Sequence, residues 1–453
     1  MNLDIKIAIP EEVHEIIETL QDRGYEAYMV GGCVRDALLG RIPNDFDITT
    51  SAEPAEVKML FSKTIDTGLK HGTVTIRINH KSFEVTTYRI DGKYEDNRHP
   101  SEVTFTKSLK EDLKRRDFTI NAFAYNQKEG LVDYFYGISD LHKKVIRAVG
   151  DPHLRFEEDA LRILRALRFS AQLDFLIDHE TEKACSDEAY RLSNISAERI
   201  RDELVKLLMS DHPEKLLDAY RLGITKVVLP EFDKMVETSQ ETPYHLYDVG
   251  RHTVVALQNS PKDMITRLAI LLHDTGKPAT KTIDDKGVAH FYNHQVESAK
   301  IAEEVLRRLK FSNKVISTVT FLVLHHSDEF IPAPKYVRRA IHKLSPELFP
   351  YYLDIQRADV LAQSKLTQDK VLADNAKMKE LYDEFMREKD CFSLKDLAVN
   401  GKDIVKKGIR GPKIGITLDN MLNYVIDNPD KNDKKFLLDN ISLFNPDTAK
   451  NEK

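Results

Sequence analysis

Two carboxylates one residue apart are the clearest sign of chemistry in this chain. Polar and apolar residues alternate in Asp45-Phe46-Asp47-Ile48 as they do in a strand, where positions i and i+2 share a face. Asp45 and Asp47 then point the same way and repel each other unless a cation sits between them. A hard divalent ion such as Mg²⁺, which takes oxygen ligands, resolves that repulsion. Glu84, in FEVTTYR, is the candidate third carboxylate on a neighbouring strand, as a two-metal site requires. Just upstream, Gly31 and Gly32 lack Cβ atoms, so backbone can lie close to a bound group. A short helix over 34–39 would present N–H groups at its start, and Arg35 adds a fixed positive charge there. That combination suits a phosphate. A phosphate cradle beside metal carboxylates implies nucleotide chemistry.

Two further stretches carry charge at helical spacing. In LRFEEDALRILRALRF, residues 154 to 169, Arg162, Arg165 and Arg168 recur every three residues and share a broad helix face. Leu161, Leu164 and Leu167 recur beside them and can face a core. Asp159 lies one turn before Arg162. Farther on, His245, His252, His273, His290, His294, His325 and His326 gather, with His273-Asp274 following an apolar run in LLHDTGK.

These groups need elements to position them. Tyr28-Met29-Val30 leads as a strand into the paired glycines. Spacing predicts helices over 10–23 and 51–61 and strands over 73–78 and 82–89. Residues 89 to 105, RIDGKYEDNRHPSEVTF, read as a charged loop. KRRDFTINAFAY, 114 to 125, reads as an apolar helix opened by Arg115, Arg116 and Asp117. Residues 170 to 240 read as short polar helices. After Asp390 the chain turns basic, with Lys402, Lys406, Lys407, Arg410 and Lys413 around a glycine-bearing turn that could offer N–H groups to phosphate.

Composition bounds these readings. The 453 residues allow roughly three or four domains. No run is long enough to span a membrane, and MNLDIKIAIP lacks the features of a signal peptide. Three scattered cysteines suit a reducing cytoplasm and argue against a disulfide framework. A net charge of −6 means that RNA binding must rest on local patches.

The string GGCVRDALLGRIPNDFDITT, 31 to 50, resembles the signature of the class II nucleotidyltransferases, the tRNA CCA-adding enzymes and bacterial poly(A) polymerases. The resemblance implies an α+β chain: a polymerase-β-like head, a small mixed sheet with helices, followed by all-α neck, HD and tail regions. The expected boundaries are 1–145 head, 146–240 neck, 241–385 HD domain and 386–453 tRNA-binding tail. It implies that Asp45, Asp47 and Glu84 are catalytic, with Mg²⁺ on Asp45 and Asp47, and that Gly32, Arg35 and Arg116 hold the triphosphate. The 89–105 segment resembles the family's flexible loop, and Asp133…Gly137…Leu141 its hinge, with Gly137 as pivot.

Glu158, Asp159 and Arg162 fall in register with the family's nucleotide-selecting motif. The logic is complementarity: a carboxylate accepts hydrogen bonds and a guanidinium only donates them. Cytosine and adenine both offer an amino donor beside a ring-nitrogen acceptor, whereas uracil and guanine present an N–H and a carbonyl. Arg165 and Arg168 would then serve phosphates.

LLHDTGK resembles the HD phosphohydrolase superfamily, with His252, His273, Asp274 and Asp359 as ligands. Imidazoles and carboxylates together suit Mn, Ni or Fe. His294 and His325 are the candidates for a second metal. The whole implies addition of CCA to tRNA from CTP and ATP without a template, and no membrane partner. Two alternatives remain open: a poly(A) polymerase or A-adding enzyme on the same fold, and an HD phosphohydrolase with an RNA-binding head.

Overall fold

The computed structural model describes residues 2–3, 6–43, 45–92 and 103–446. Chain contacts divide it into two compact units, Met1–Asp233 and Lys234–Lys453.

The first unit is built on a mixed sheet. Among the described residues its strand order is Asn2–Leu3, Gly130–Asp133, Phe123–Asn126, Ala27–Val30, Asp47–Thr50, Lys81–Thr87, Thr73–Ile78, Thr64–Gly68. Asp47–Thr50 and Lys81–Thr87 pair in parallel and the other neighbours antiparallel. The helix Glu11–Gln21 buries Val13, Ile16, Ile17 and Leu20, the apolar stripe of an amphipathic helix. Ala27–Val30 is buried along its whole length, as befits a central strand.

Several local expectations shift. The helix after the glycines spans Gly32–Leu38 and begins two residues earlier than expected. The strand starts at Asp47, so Asp45 lies in the chain leading into it and not within it. Residues 114–125 are not one helix. A helix Leu109–Lys114 ends there, a 3₁₀ turn Thr119–Asn121 follows, and Phe123–Asn126 is a strand. Aromatic residues favour the pleated, half-buried surface over a short helix. The ends of the charged loop pair as strands Arg89–Asp91 and Val103–Phe105; residues 93–102 lie outside the described residues.

The arginine stretch is also divided. Pro152–Glu158 and Leu161–Leu173 are separate helices, and Asp159 between them is extended, with φ −147° and ψ 100°. Gly137 opens the helix Gly137–Lys143. A Cβ there would lie 2.3 Å from the Thr119 carbonyl and 2.7 Å from the Phe123 ring, so this glycine permits a close backbone approach.

The second unit is helical. The helix Met264–Leu272 is buried continuously from Thr266 to Leu272 and delivers His273 and Asp274 at its end. Around it stand Val249–Gln258, His294–Arg308, Asn313–His325 and Phe349–Leu361, with a hairpin of Lys281–Ile283 and Ala289–Phe291. The C-terminal helices Gly401–Lys406, Lys413–Asp427 and Lys434–Asp439 enclose a small core of Val399, Ile404, Met421, Val425 and Leu437. No described helix is long and apolar enough to cross a membrane.

Candidate active site and metal centre

Asp47 and Glu84 sit in register across the parallel strand pair. With Asp45 they line one cleft of about 730 Å³, whose wall also includes Thr75 and Lys81. Burial pushes the Asp47 carboxyl above its ordinary range; Arg116 opposes this and the charge on Asp45 reinforces it. A cation between the carboxylates would relieve that strain, so the donor set fits a hard divalent ion.

Strand Asp47–Thr50 is tied to the arginines behind it through Asp112, which is fully buried. The Thr49 hydroxyl donates to Asp112 Oδ2 at 3.2 Å, and Arg115 donates twice to Oδ1 at 3.0 and 2.8 Å. Arg116 lies 3.9 Å from the same carboxylate. Its guanidinium passes over Gly31, where a Cβ would stand 2.8 Å from Nη1, and Gly31 has φ +77°. Only glycine meets both demands. Gly32 starts the helix, and Arg35 reaches from it to donate to Asn121 Oδ1 at 2.6 Å.

The arginine stripe is not a solvated face. Arg162 and Arg168 are each only 9% exposed. Arg165 donates to Asp117 Oδ2 at 2.8 and 2.6 Å. Burial favours the neutral acid at Asp117, but Arg165 and Asn121 hold its carboxyl well below the usual range. Arg168 pairs with Glu203 at 2.8 Å, and burial lowers its guanidinium to about 10. Arg35, Arg165 and Arg168 all stand over the Phe169 ring, with centroid distances of 4.9, 5.3 and 4.0 Å, a cation–π arrangement.

Asp159 and Arg162 each have another partner. Arg199 donates to the Asp159 carboxylate at 3.2 and 2.7 Å. Arg162 donates to Glu158 Oε2 at 2.6 Å and to the carbonyls of Arg155 and Arg115 at 3.1 and 2.9 Å. Sequence reasoning missed Asp112, Asn121, Phe169, Arg199 and Glu203 as members of this network. The acidic and aromatic residues are unremarkable in type, and no short spacing links Arg199 to Asp159.

In the second unit four of the predicted metal residues converge. His252 Nε2 lies 2.7 Å from Asp359 Oδ1 and 3.8 Å from Asp274 Oδ2. His273 Nε2 lies 3.2 Å from Asp274 Oδ2 and 3.6 Å from Asp359 Oδ1. His273 gives Nδ1–H to the Ile270 carbonyl at 2.6 Å. Burial disfavours the charged imidazole, but Asp274 and Asp359 push His273 up to about 10. Asp274 Oδ2 also pairs with Lys277 Nζ at 2.8 Å, so the buried carboxylate is held by cationic neighbours. Among the described residues, the sets whose ligand atoms lie within 4.8 Å of one another are His252, His273, Asp274 and Asp274, His294, His326. The head carboxylates share a cleft without being gathered that closely. His325 is not in the second set: it bonds Asp328 at 2.8 Å, and its neighbour His326 turns inward instead.

Family models match three stretches of the chain. Residues 27–147 match the Poly A polymerase head domain, 174–236 the probable RNA and SrmB-binding site of polymerase A, and 244–375 the HD domain. The CCA-adding enzyme of Lactobacillus helveticus is 43% identical over 298 residues, which are 65% of this chain and 70% of that protein. The CCA-adding enzyme of Lactiplantibacillus plantarum is 54% identical over 198 residues, 44% of this chain and 49% of that protein. The alignments thus span between 49% and 70% of these two relatives' length. The Bacillus stearothermophilus CCA-adding enzyme, solved in complex with CTP, superposes with TM-score 0.72 and 30% identity over 97% of this chain and 98% of that one. The Thermotoga maritima CCA-adding enzyme has the same fold at 22% identity and TM-score 0.58. In sequence and in fold, this chain belongs to the CCA-adding enzyme family.

Proposed function

We propose that this chain adds the 3′-terminal CCA to tRNA from CTP and ATP without a nucleic-acid template. The observation that carries the chemistry is the register of Asp47 with Glu84, in one cleft with Asp45. These carboxylates would hold Mg²⁺, which when bound activates the RNA 3′-hydroxyl and stabilises the leaving pyrophosphate. Gly32 would leave backbone open to the triphosphate, and Arg35 and Arg116 would give it positive charge. The 3′-oxygen bonds to the α-phosphorus as the bond to pyrophosphate breaks.

Asp159 and Arg162 present an acceptor and donors for the edge of C or A. Arg199 and Glu158 hold them in place. Arg165 and Arg168 would serve phosphates from behind. The head, neck, HD and tail boundaries are proposed at 1–145, 146–240, 241–385 and 386–453. A cytoplasmic location fits the three free, buried cysteines.

The test incubates tRNA ending in its discriminator base, in −C and in −CC with each NTP, and sizes the products. Addition that stops at CCA supports the reading. A long A tract would make the chain a poly(A) polymerase, and addition of A alone to tRNA ending in −CC would make it an A-adding enzyme.

A second reading concerns the HD region, carried by the convergence of His252, His273 and Asp274, whose ligand atoms lie within 4.8 Å of one another. His252, His273, Asp274 and Asp359 would hold Mn, Ni or Fe and support hydrolysis of a phosphate ester. Loss of that activity in His273→Ala, with nucleotide addition retained, is the expected result.

A further inference from the structure

The face of the head sheet that carries the carboxylates runs on past the cleft. Asp47 stands opposite Glu84, and Glu84 opposite Thr75; directly opposed residues put their side chains on one face of a sheet. Arg77 lies two residues along from Thr75 and so shares that face. Its N–H donates to the Lys63 carbonyl at 3.0 Å, which sets Lys63 opposite it at the start of the edge strand. Polar groups line this surface: the Thr67 and Thr75 hydroxyls are 2.8 Å apart, and those of Thr73 and Thr86 3.0 Å. The opposite face of the same strands carries Val74, Ile76, Phe83 and Val85, all buried. Lys63 and Arg77 are exposed and, with Asn79 and His80, border a second cavity of about 690 Å³.

The order of the strands gives this face a direction. Gly31 and Gly32 follow strand Ala27–Val30, on one side of Asp47; Lys81–Thr87, Thr73–Ile78 and Thr64–Gly68 lie on the other. In phosphoryl transfer the attacking and leaving oxygens are roughly in line through phosphorus. A triphosphate held at Gly32 directs its pyrophosphate toward the glycines, so the attacking 3′-oxygen arrives from the side of Glu84. Resting on the nucleotide-addition reading above, we propose that Lys63 and Arg77 form a binding site for backbone phosphates of the RNA strand whose 3′ end is extended. Neighbouring strands are about 4.8 Å apart, so the edge strand stands about 10 Å from the strand of Glu84, the rise of about three stacked nucleotides. Contacts to phosphate carry no sequence information. That tolerance suits a strand whose terminal base changes with each addition.

The probe is an RNA minihelix of the acceptor stem ending in −CC, with its affinity for the full chain measured by fluorescence anisotropy over a salt series. Lys63→Glu with Arg77→Glu should weaken binding about tenfold and lower the salt slope by about 1.4, the value for two phosphates of a single strand. In steady-state addition KM for the minihelix should rise, while KM for ATP stays that of the parent, because the nucleotide lies on the other side of Asp47. Lys63→Gln with Arg77→Gln should show the same changes to a smaller degree. Lys58→Glu is the control: it reverses another exposed charge of the head, one that pairs with Asp66 at 2.9 Å, and should bind as the parent does. Circular dichroism shows that each variant is folded. Unchanged affinity and slope in the double variant, or an equal loss in Lys58→Glu, overturns the site and leaves nucleotide addition standing. A parent chain that adds nothing to the minihelix or to tRNA overturns the addition reading, and with it this path for the strand.

Discussion

Arg199 is the most revealing residue to remove, because it would act on the proposed base selection only through Asp159. Arg199→Ala deletes two N–H···O bonds, at 3.2 and 2.7 Å, from a carboxylate that the base would read. The side chains of the pair are 21% and 17% exposed. Hydrogen bonds to charged groups contribute about 1.5–3 kcal/mol, and partial exposure places this pair near the lower end, at about 2 kcal/mol. If that energy fixes the direction of the carboxylate, its loss lowers selectivity for CTP over UTP by roughly 30-fold, at 1.4 kcal/mol per decade. The assay is single-turnover addition to tRNA with each of the four NTPs. Asp159→Ala should show the same loss, and the double variant little more, since the two residues act as one unit. Equal slowing with all four NTPs at unchanged ratios would refute the argument and make the pair a structural tie between helices.

Four other outcomes follow from the geometry. Asp45→Ala or Asp47→Ala should abolish nucleotide addition while leaving tRNA binding within about twofold, measured by filter binding. Gly31→Ala places a Cβ 2.8 Å from Arg116 at φ +77°; strain of about 1–3 kcal/mol should cut addition tenfold or more, mostly through KM for the nucleotide. Asp117 has a depressed carboxyl in the folded state. Its contribution to stability is therefore full above the ordinary carboxylate range of about 4 and is lost as pH falls below it. Asp117→Asn should flatten the decline of the urea midpoint between pH 6 and 3. Exposed Lys402, Lys406 and Arg410 should contact tRNA phosphates, so replacing all three by Glu should weaken binding and lower the salt slope by about 2 to 3.

The sequence made some features legible and hid others for identifiable reasons. Strand Thr73–Ile78 emerges at its expected bounds because alternation is a local signal. The organising motif of glycines, Arg35 and two aspartates is local too. Partners distant in the chain are not: Arg165 meets Asp117 from 48 residues away, and Arg168 meets Glu203 across two helices. An arginine every third residue looks the same whether its face meets water or carboxylates. Adjacent His325 and His326 could not be told apart, since helix phase decides which turns inward. Phe123–Asn126 reads as helix in the sequence because a four-residue buried strand is too short to show a period.

The lone parallel pair among the described residues of the head sheet also has a consequence for folding order. Lys81–Thr87 closes locally on Thr73–Ile78 through a two-residue turn, with Asn79 and His80 both at positive φ, the geometry of a fast-forming hairpin. Strand Asp47–Thr50 joins that hairpin only by closing a far longer loop; Thr49 and its acceptor Thr86 are 37 residues apart. Such non-local pairing pays its chain entropy before it gains contacts, and so it forms late. The same event brings Asp47 beside Glu84. Competence to hold the proposed cation thus waits on this pairing, so recovery of activity on refolding should lag the hairpin and the appearance of helix.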